Sequence, residues 1–374
     1  MTALSAAAGL LLILFVLAEA FEALVLPRRV LRPFRFTRLY YRAGWKTWTA
    51  LAALLPPTRR RQTFLSVFGP LSLLVLFALW AAALVTGFGL VHHALGPGRT
   101  LADSIYLSGT TFTTLGYGDV TPGNPAGRAL AVAEAATGFG FFAVVIAYLP
   151  VLYQAFSRRE AFIALLDARA GSPPAAGRML LRTPPGPEGG PCLTDFLAEA
   201  ERWSAEVLEG HLSFPVLGYY RSQHDNQSWL AALACVLDAS ALLLTVAEGA
   251  DRAQARLTFA MARHTLVDLG LVLRRAPSAG ADDRFPAARL GELLAALRAA
   301  GVKVRDDAAA RARLAELRGL YEPFLEGLSG FFRLPVAGVW PADERADNWQ
   351  TSAWLRRADP LTALGAGPAD DHFG

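Results

Sequence analysis

The sequence predicts an all-α membrane protein with a helical domain appended, on three observations. Of its 374 residues 53% are hydrophobic and only 18% charged, a balance beyond that of an ordinary soluble domain. Apolar runs recur at Ala3–Leu26, Phe64–Val91 and Leu130–Phe156, each long enough to cross a bilayer as a helix. Beyond residue 157 the pattern becomes that of helices separated by Gly and Pro. Charge divides at the same place: residues 1–156 carry 12 Lys+Arg against 5 Asp+Glu, and residues 157–374 carry 24 against 27. The basic half is the apolar half, so the expected acidic partner is anionic lipid along Arg28–Arg61 and not nucleic acid. Cys192 and Cys235 make no metal or CxxC pattern and read as reduced, inert thiols.

The first run has no basic residues before it, so it reads as a span and not as a signal peptide. Arg28, Arg29, Arg32, Arg35, Arg38, Arg42, Lys46 and Arg59–Arg61 follow with no acid between them, which places residues 27–63 in the cytoplasm and the N-terminus outside. Glu19 and Glu22 share a face of this span and are expected to pair with Arg28, Arg29 or a neighbouring helix. The arginine spacing from Arg29 to Arg42 resembles a voltage-sensor helix, but Pro33 interrupts it and only one span precedes it. With Phe34, Phe36, Tyr40, Tyr41, Trp45 and Trp48 interleaved, it reads as an interfacial segment closing a first region, 1–63.

The second span returns outward, and the third comes back in to the basic Arg158-Arg159. Between them Thr100 and Asp103 form a helix start, and the helix to about Phe112 spans roughly 18–20 Å, too short to cross. It is expected to be re-entrant, which demands that the backbone after it be buried in protein or line a water-filled path. That backbone reads TTFTTLGYGD over residues 110–119. Glycines at alternate positions permit positive φ, so the strip Thr114–Gly118 can aim successive carbonyls to one side, with the Thr114 hydroxyl at the inner end. One strip per chain would require four chains to enclose an ion.

TTLGYGD between two spans resembles the signature of the tetrameric potassium channel family, over residues 64–157. The resemblance implies an outer helix–pore helix–filter–inner helix unit, a homotetramer and K⁺ selectivity. It implies that Thr114, Leu115, Gly116 and Tyr117 supply ion-coordinating oxygens and that Gly118 and Asp119 finish the outer mouth. Leu115 stands where valine is commoner; its carbonyl does the work, so little selectivity should be lost. Gly138 and Gly140 lie where the family often has a hinge, although close packing of small residues explains them as well. Pro150 should kink the cytoplasmic end of the helix and marks a candidate gate. Glu134, at membrane depth, is expected behind the filter on hydroxyls such as Thr110 or Thr113.

In the second half, residues 158–192 read as a linker, with Gly171–Pro191 rich in Pro and Gly. Helices are expected at Thr194–Leu212, Asn226–Glu248, Asp251–Arg275, Pro286–Ala300 and Asp306–Leu328, forming a cytoplasmic domain within 193–374 that ends in a looser tail. Ser228–Ala247 is apolar enough for a fourth span, but Asp238 at its centre favours a buried core helix. No βαβ alternation, GxGxxG or P-loop follows residue 157, so the usual ligand-gating modules are not expected, and an unknown cytoplasmic ligand is left to bias the gate. His211, His224-Asp225, His264 and Asp268 are either a metal or catalytic site or satisfied polar groups. Lys46 and Lys303 are the only lysines, against abundant Arg and Ala, a usage that points to a bacterium and hence to its plasma membrane. The whole reads as a passive K⁺ channel, without enzymatic activity and without a cofactor besides the permeant ion. The alternatives are a weakly selective cation pore and a channel-like anchor for a sensor or enzyme domain.

Overall fold

The computed structural model describes residues 2–25, 35–96, 98–186, 190–224, 226–278 and 283–341. The protein is an all-α membrane protein with two compact units, Met1–Gln154 and Ala155–Gly374. Three of its helices, Thr2–Leu24, Arg59–Leu95 and Pro125–Ala170, are long and apolar enough to cross a membrane.

Unit 1 contains α1 (Thr2–Leu24), α2 (Phe36–Ala53), α3 (Arg59–Leu95), α4 (Leu101–Phe112) and residues 125–154 of α5 (Pro125–Ala170). Helix α1 lies close on α3 because two glycines let the backbones approach: a Cβ on Gly9 would sit 2.5 Å from the Gly87 carbonyl oxygen. Ser5 Oγ donates to Leu90 O at 3.0 Å along the same contact. The acids of α1 reach the neighbouring helix α2 and its N-cap, one of the expected alternatives. Glu19 accepts from the Thr37 backbone N–H at 3.1 Å and its hydroxyl at 2.9 Å, capping the first turn of α2 from outside that helix. Glu22 lies 3.9 Å from Arg35 Nε. Arg28, Arg29 and Arg32, and with them the first part of the expected lipid-binding segment, fall outside the described residues.

The aromatics of α2 turn onto α3. The Trp48 ring stacks on Phe64 at 4.4 Å and its indole N–H donates to Phe64 O, Trp45 meets Phe68 at 4.9 Å, and Tyr40 donates to Ser72 O. Among the residues α2 leaves exposed are the cations Arg42 and Lys46 and the leucines Leu39 and Leu51, with alanines and Thr47 between them.

Unit 2 contains residues 155–170 of α5, then α6 (Ala176–Arg182), α7 (Gly190–Ser213), a 3₁₀ helix (Pro215–Tyr219), α8 (Trp229–Thr245), α9 (Arg252–Val272), α10 (Ala287–Ala299), α11 (Ala308–Gly319) and α12 (Glu322–Phe332). Among the described residues there is no strand, only the isolated bridge between Ala247 and Val304. Every residue of α8 except Leu244 is buried, and α6, α7, α9, α11 and α12 surround it. Its apolar sequence therefore serves as the core of unit 2. Asp238 is tolerated there because Arg284 donates to both its oxygens at 3.1–3.2 Å and Tyr321 donates at 2.5 Å. Arg284 also reaches Glu322 at 2.8 Å, extending the network onto α12.

Several expectations need correction here. The stretch expected as a linker is structured: residues 158–170 continue α5, and α6 is buried at Ala176, Gly177, Met179 and Leu180. Gly177 makes that burial possible, since a Cβ there would lie 2.6 Å from the Trp340 ring and 3.1 Å from Val339 O. Helix α7 begins at Gly190, ahead of the expected Thr194 cap. The single helix expected over 306–328 is two, because Pro323 in the first turn of α12 has no N–H to continue the preceding one. Residues 342–374, most of the expected tail, lie outside the described residues, whereas Leu334 and Val339 pack into unit 2.

The polar points of this half are separate. Among the described residues no group of three or more His, Cys, Asp or Glu could hold a metal. Asp225 lies outside the described residues, and His264 stands on the surface 4.0 Å from Asp268. His211 is buried, donating from Nδ1 to Val207 O at 2.7 Å with its ring 4.7 Å from Trp229. Nearby, the buried Arg159 of α5 donates to Leu217 O at 2.9 Å and Tyr220 O at 3.0 Å, and accepts at its carbonyl from the Trp203 indole.

Burial, and after it the Arg159 charge, push His211 down to about 3. An unfolded histidine titrates near 6.5, so between these values the unfolded chain holds a proton that the folded unit refuses. The stabilisation is complete above pH 6.5 and is lost as pH falls, by roughly 3 kcal/mol at pH 4. Unfolding of the full chain and of His211→Leu, followed between pH 7 and 4, should show wild type losing stability relative to the variant by that amount. A difference that stays flat with pH would refute it.

Candidate functional site

Helix α4 and the strip after it form one hydrogen-bonded piece. Thr100 accepts from the Asp103 N–H at 3.1 Å, so the helix starts with the expected cap. At its other end the carbonyl of Thr110 accepts twice, from Leu115 N at 2.8 Å and Gly116 N at 3.1 Å, and Thr114 N donates to Thr111 O. The chain then runs without helix or strand through residues 115–117.

Backbone handedness alternates along this strip. Thr114, Gly116 and Gly118 have φ of 58°, 56° and 78°, and Leu115 and Tyr117 between them do not take positive φ. Alternation of this kind turns every second peptide plane, which brings successive carbonyls to the same side. An added Cβ on Gly116 or Gly118 would meet nothing within 4 Å, so glycine is required there by conformation and not by space. Thr114, β-branched, holds the same conformation at a strain of about 1–3 kcal/mol. Leu115 and Tyr117 are 55% and 70% exposed in the single chain.

Side chains pin both sides of the strip. Tyr106 on α4 donates to Asp119 at 2.9 Å. Arg99 donates to Thr121 O, and Asn124 donates to Leu95 O at 2.6 Å while accepting from Gly127 N at 2.7 Å. The approach to α5 is thereby tied to the end of α3.

Glu134 is buried as expected, but its partners differ from those expected. Thr110 and Thr113 turn their hydroxyls to carbonyls of their own helix, Leu107 O at 3.0 Å and Gly109 O at 2.7 Å. Glu134 instead bonds Ser108 of α4 and lies 3.0 Å from His92 Nε2 of α3. The sequence reading missed His92 and Ser108. The available signal was a second ionisable residue inside an apolar helix, since such residues at membrane depth pair with one another.

Gly138 serves close packing. A Cβ there would fall on the carbonyl oxygen of Phe112, the last residue of α4, whose fully buried ring sits between Phe141 at 5.9 Å and Phe142 at 5.8 Å. Gly140 has open space around it, and Pro150 lies exposed inside α5.

With this geometry in place, the comparisons with known proteins gain a structural meaning. Residues 72–154, from within α3 to the last residue of unit 1, match the family model described as an ion channel. This stretch is similar to an ion-channel domain. The chain is 37% identical over 84 residues to Protein LctB of Geobacillus stearothermophilus, a match covering 18% of this chain and 62% of that protein. Over 183 residues it is 26% identical to the uncharacterized membrane protein YdjJ of Bacillus subtilis (strain 168), covering 46% and 52% respectively. A shorter match, 37% identical over 51 residues, joins it to two pore potassium channel c of Oryza sativa subsp. japonica, with 14% of this chain and 11% of that protein covered. The matched stretches thus span less than two thirds of each relative's length. No solved structure matches.

Gly138 and Gly140 of α5 should respond differently to alanine. Gly138→Ala must displace the end of α4 and should lower the stability of the solubilised protein by about 1–3 kcal/mol. Gly140→Ala fills open space in a helix and should be neutral or stabilising by up to about 1 kcal/mol. Thermal unfolding in detergent separates the two, and equal effects would contradict the assignment.

Proposed function

We propose that the protein is a K⁺-selective channel, assembled as a homotetramer, in which four copies of the strip Thr114–Gly118 surround the ion path. The alternating handedness at Thr114, Gly116 and Gly118 carries the reading, because it is the backbone arrangement that offers stacked carbonyls to a dehydrated cation. One strip cannot enclose an ion, and the exposed Leu115 and Tyr117 side chains leave surface for neighbouring copies to cover. The carbonyls of Thr114, Leu115, Gly116 and Tyr117, with the Thr114 hydroxyl, replace water around K⁺. Gly118 and Asp119 form the mouth, with Asp119 held by Tyr106. The ion moves down its electrochemical gradient and no bond is made or broken. The similarity to an ion-channel domain and to a plant protein named a potassium channel supports the same reading.

In this reading the protein sits in a bacterial plasma membrane with its N-terminus outside and unit 2 in the cytoplasm. The Arg42–Lys46 face of α2 meets anionic headgroups, and unit 2 takes a cytoplasmic ligand that biases α5 near Pro150.

The test is ion flux into liposomes holding the purified chain. K⁺ should pass and Na⁺ should not, and Gly116→Ala, forced into a conformation alanine avoids, should reduce K⁺ flux more than about tenfold. Equal K⁺ and Na⁺ flux would overturn the selectivity. Absence of flux from both the full chain and a chain ending at Arg159 would overturn conduction.

A further inference from the structure

Three buried polar side chains meet inside unit 1, one from each of three helices: His92 of α3, Ser108 of α4 and Glu134 of α5, none more than 1% exposed. His92 Nε2 lies 3.0 Å from one carboxyl oxygen of Glu134. Ser108 Oγ bonds the other carboxyl oxygen and also lies 2.7 Å from the Val85 carbonyl oxygen of α3.

The protons can be counted. Two oxygens at hydrogen-bond distance need a proton between them. Ser108 stands in two such contacts and has one hydroxyl proton. The Val85 carbonyl can only accept, so that proton belongs to the contact with Val85. The proton in the other contact must come from Glu134. The remaining carboxyl oxygen then accepts from the Nε2–H of His92. With an ionised carboxylate, one of the two Ser108 contacts would hold bare lone pairs against each other in a buried site.

We propose that Glu134 is a neutral carboxylic acid at the hub of a directed hydrogen-bond chain, Glu134 to Ser108 to Val85 O, with His92 donating to the hub, and that this chain positions α4 between the two long helices. Ser108 precedes by two residues Thr110, whose carbonyl holds Leu115 N and Gly116 N. The hub therefore fixes the residue from which the strip hangs. This consequence for conduction rests on the channel reading above; the position of the proton does not.

His92 is the titratable group that α3 turns to Glu134. Helix α4 presents Ser108, its own Asp103 and Tyr106 being engaged with Thr100 and Asp119. A neutral hub also suits its depth, since an unscreened charge inside a membrane protein is costly and a protonated acid still donates and accepts.

Infrared difference spectra of the full chain in lipid, wild type against Glu134→Gln at neutral pH, test the proton directly. The expected result is a protonated-carboxyl C=O band present in wild type, absent from Glu134→Gln and shifted in Ser108→Ala. A carboxylate band lost in Glu134→Gln, with no protonated-carboxyl band, would overturn the proposal in favour of an ion pair with His92. Flux tests the positioning. Glutamine keeps a donor, an acceptor and zero charge, so Glu134→Gln should keep K⁺ flux and K⁺/Na⁺ ratio within about twofold, while Glu134→Ala should lose tenfold or more. The band without any difference in flux between Gln and Ala would overturn the positioning role. The spectra decide the proton even in a chain that does not conduct, so failure of this inference and failure of the channel reading are distinguishable.

Discussion

A peptide group at membrane depth must find a hydrogen-bond partner or face water, and most of unit 1 follows from that constraint. A twelve-residue helix is too short to cross a bilayer, and the chain after α4 leaves helical structure at once. Thr110 answers part of the requirement by accepting two N–H groups from the strip. Tyr106, Arg99 and Asn124 answer more of it from α4, the end of α3 and the approach to α5. The amides of Thr114, Leu115 and Gly116 are thus held by the end of α4, and the strip keeps its shape through strained and glycine dihedrals.

The sequence disclosed the parts of unit 1 that depend on local chemistry. The Thr100–Asp103 cap, the short α4 and the positive φ at Gly116 and Gly118 are properties of a few neighbouring residues, and all were readable. Partners across the fold were less so. Glu134 was legible as a buried acid because charge at that depth is expensive, yet the choice between Thr110, Thr113 and Ser108 depends on which hydroxyl faces α5. Threonine hydroxyls were poor guesses for a physical reason: inside a helix they fold back on the carbonyl three or four residues earlier. His92 stands just past the expected span Phe64–Val91, whereas α3 continues to Leu95.

Unit 2 shows the converse. Proline and glycine between residues 171 and 191 suggested an irregular linker, but composition does not distinguish a loop from a short helix whose glycine is needed for contact. Gly177 lies under Trp340, more than 160 positions later, and no local signal announces that. Helix α8 was readable as apolar and ambiguous between span and core. Asp238 decides it, since a carboxylate in lipid would lack the two arginine and one tyrosine donors that Arg284 and Tyr321 bring. Such a network adds specificity more than stability: only one arrangement of α8, α12 and the segment before α10 brings all its members together.

The glycines of unit 1 show how one residue type answers different constraints. At Gly116 and Gly118 there is room for a side chain and the dihedral forbids it. At Gly138 the dihedral is ordinary and the Phe112 carbonyl forbids it. A hinge would call for a glycine that neither constraint explains, and of Gly138 and Gly140 only Gly140 meets that condition. Gly138 is better understood as the contact that lets α5 lie against the last turn of α4. Bending α5 at that point would pull on Phe112 and, through the same turn, on Thr110 and the two amides it holds. The Gly138 approach and the Glu134–Ser108 bond thus hold α5 to α4 at two points, one by backbone and one by side chain.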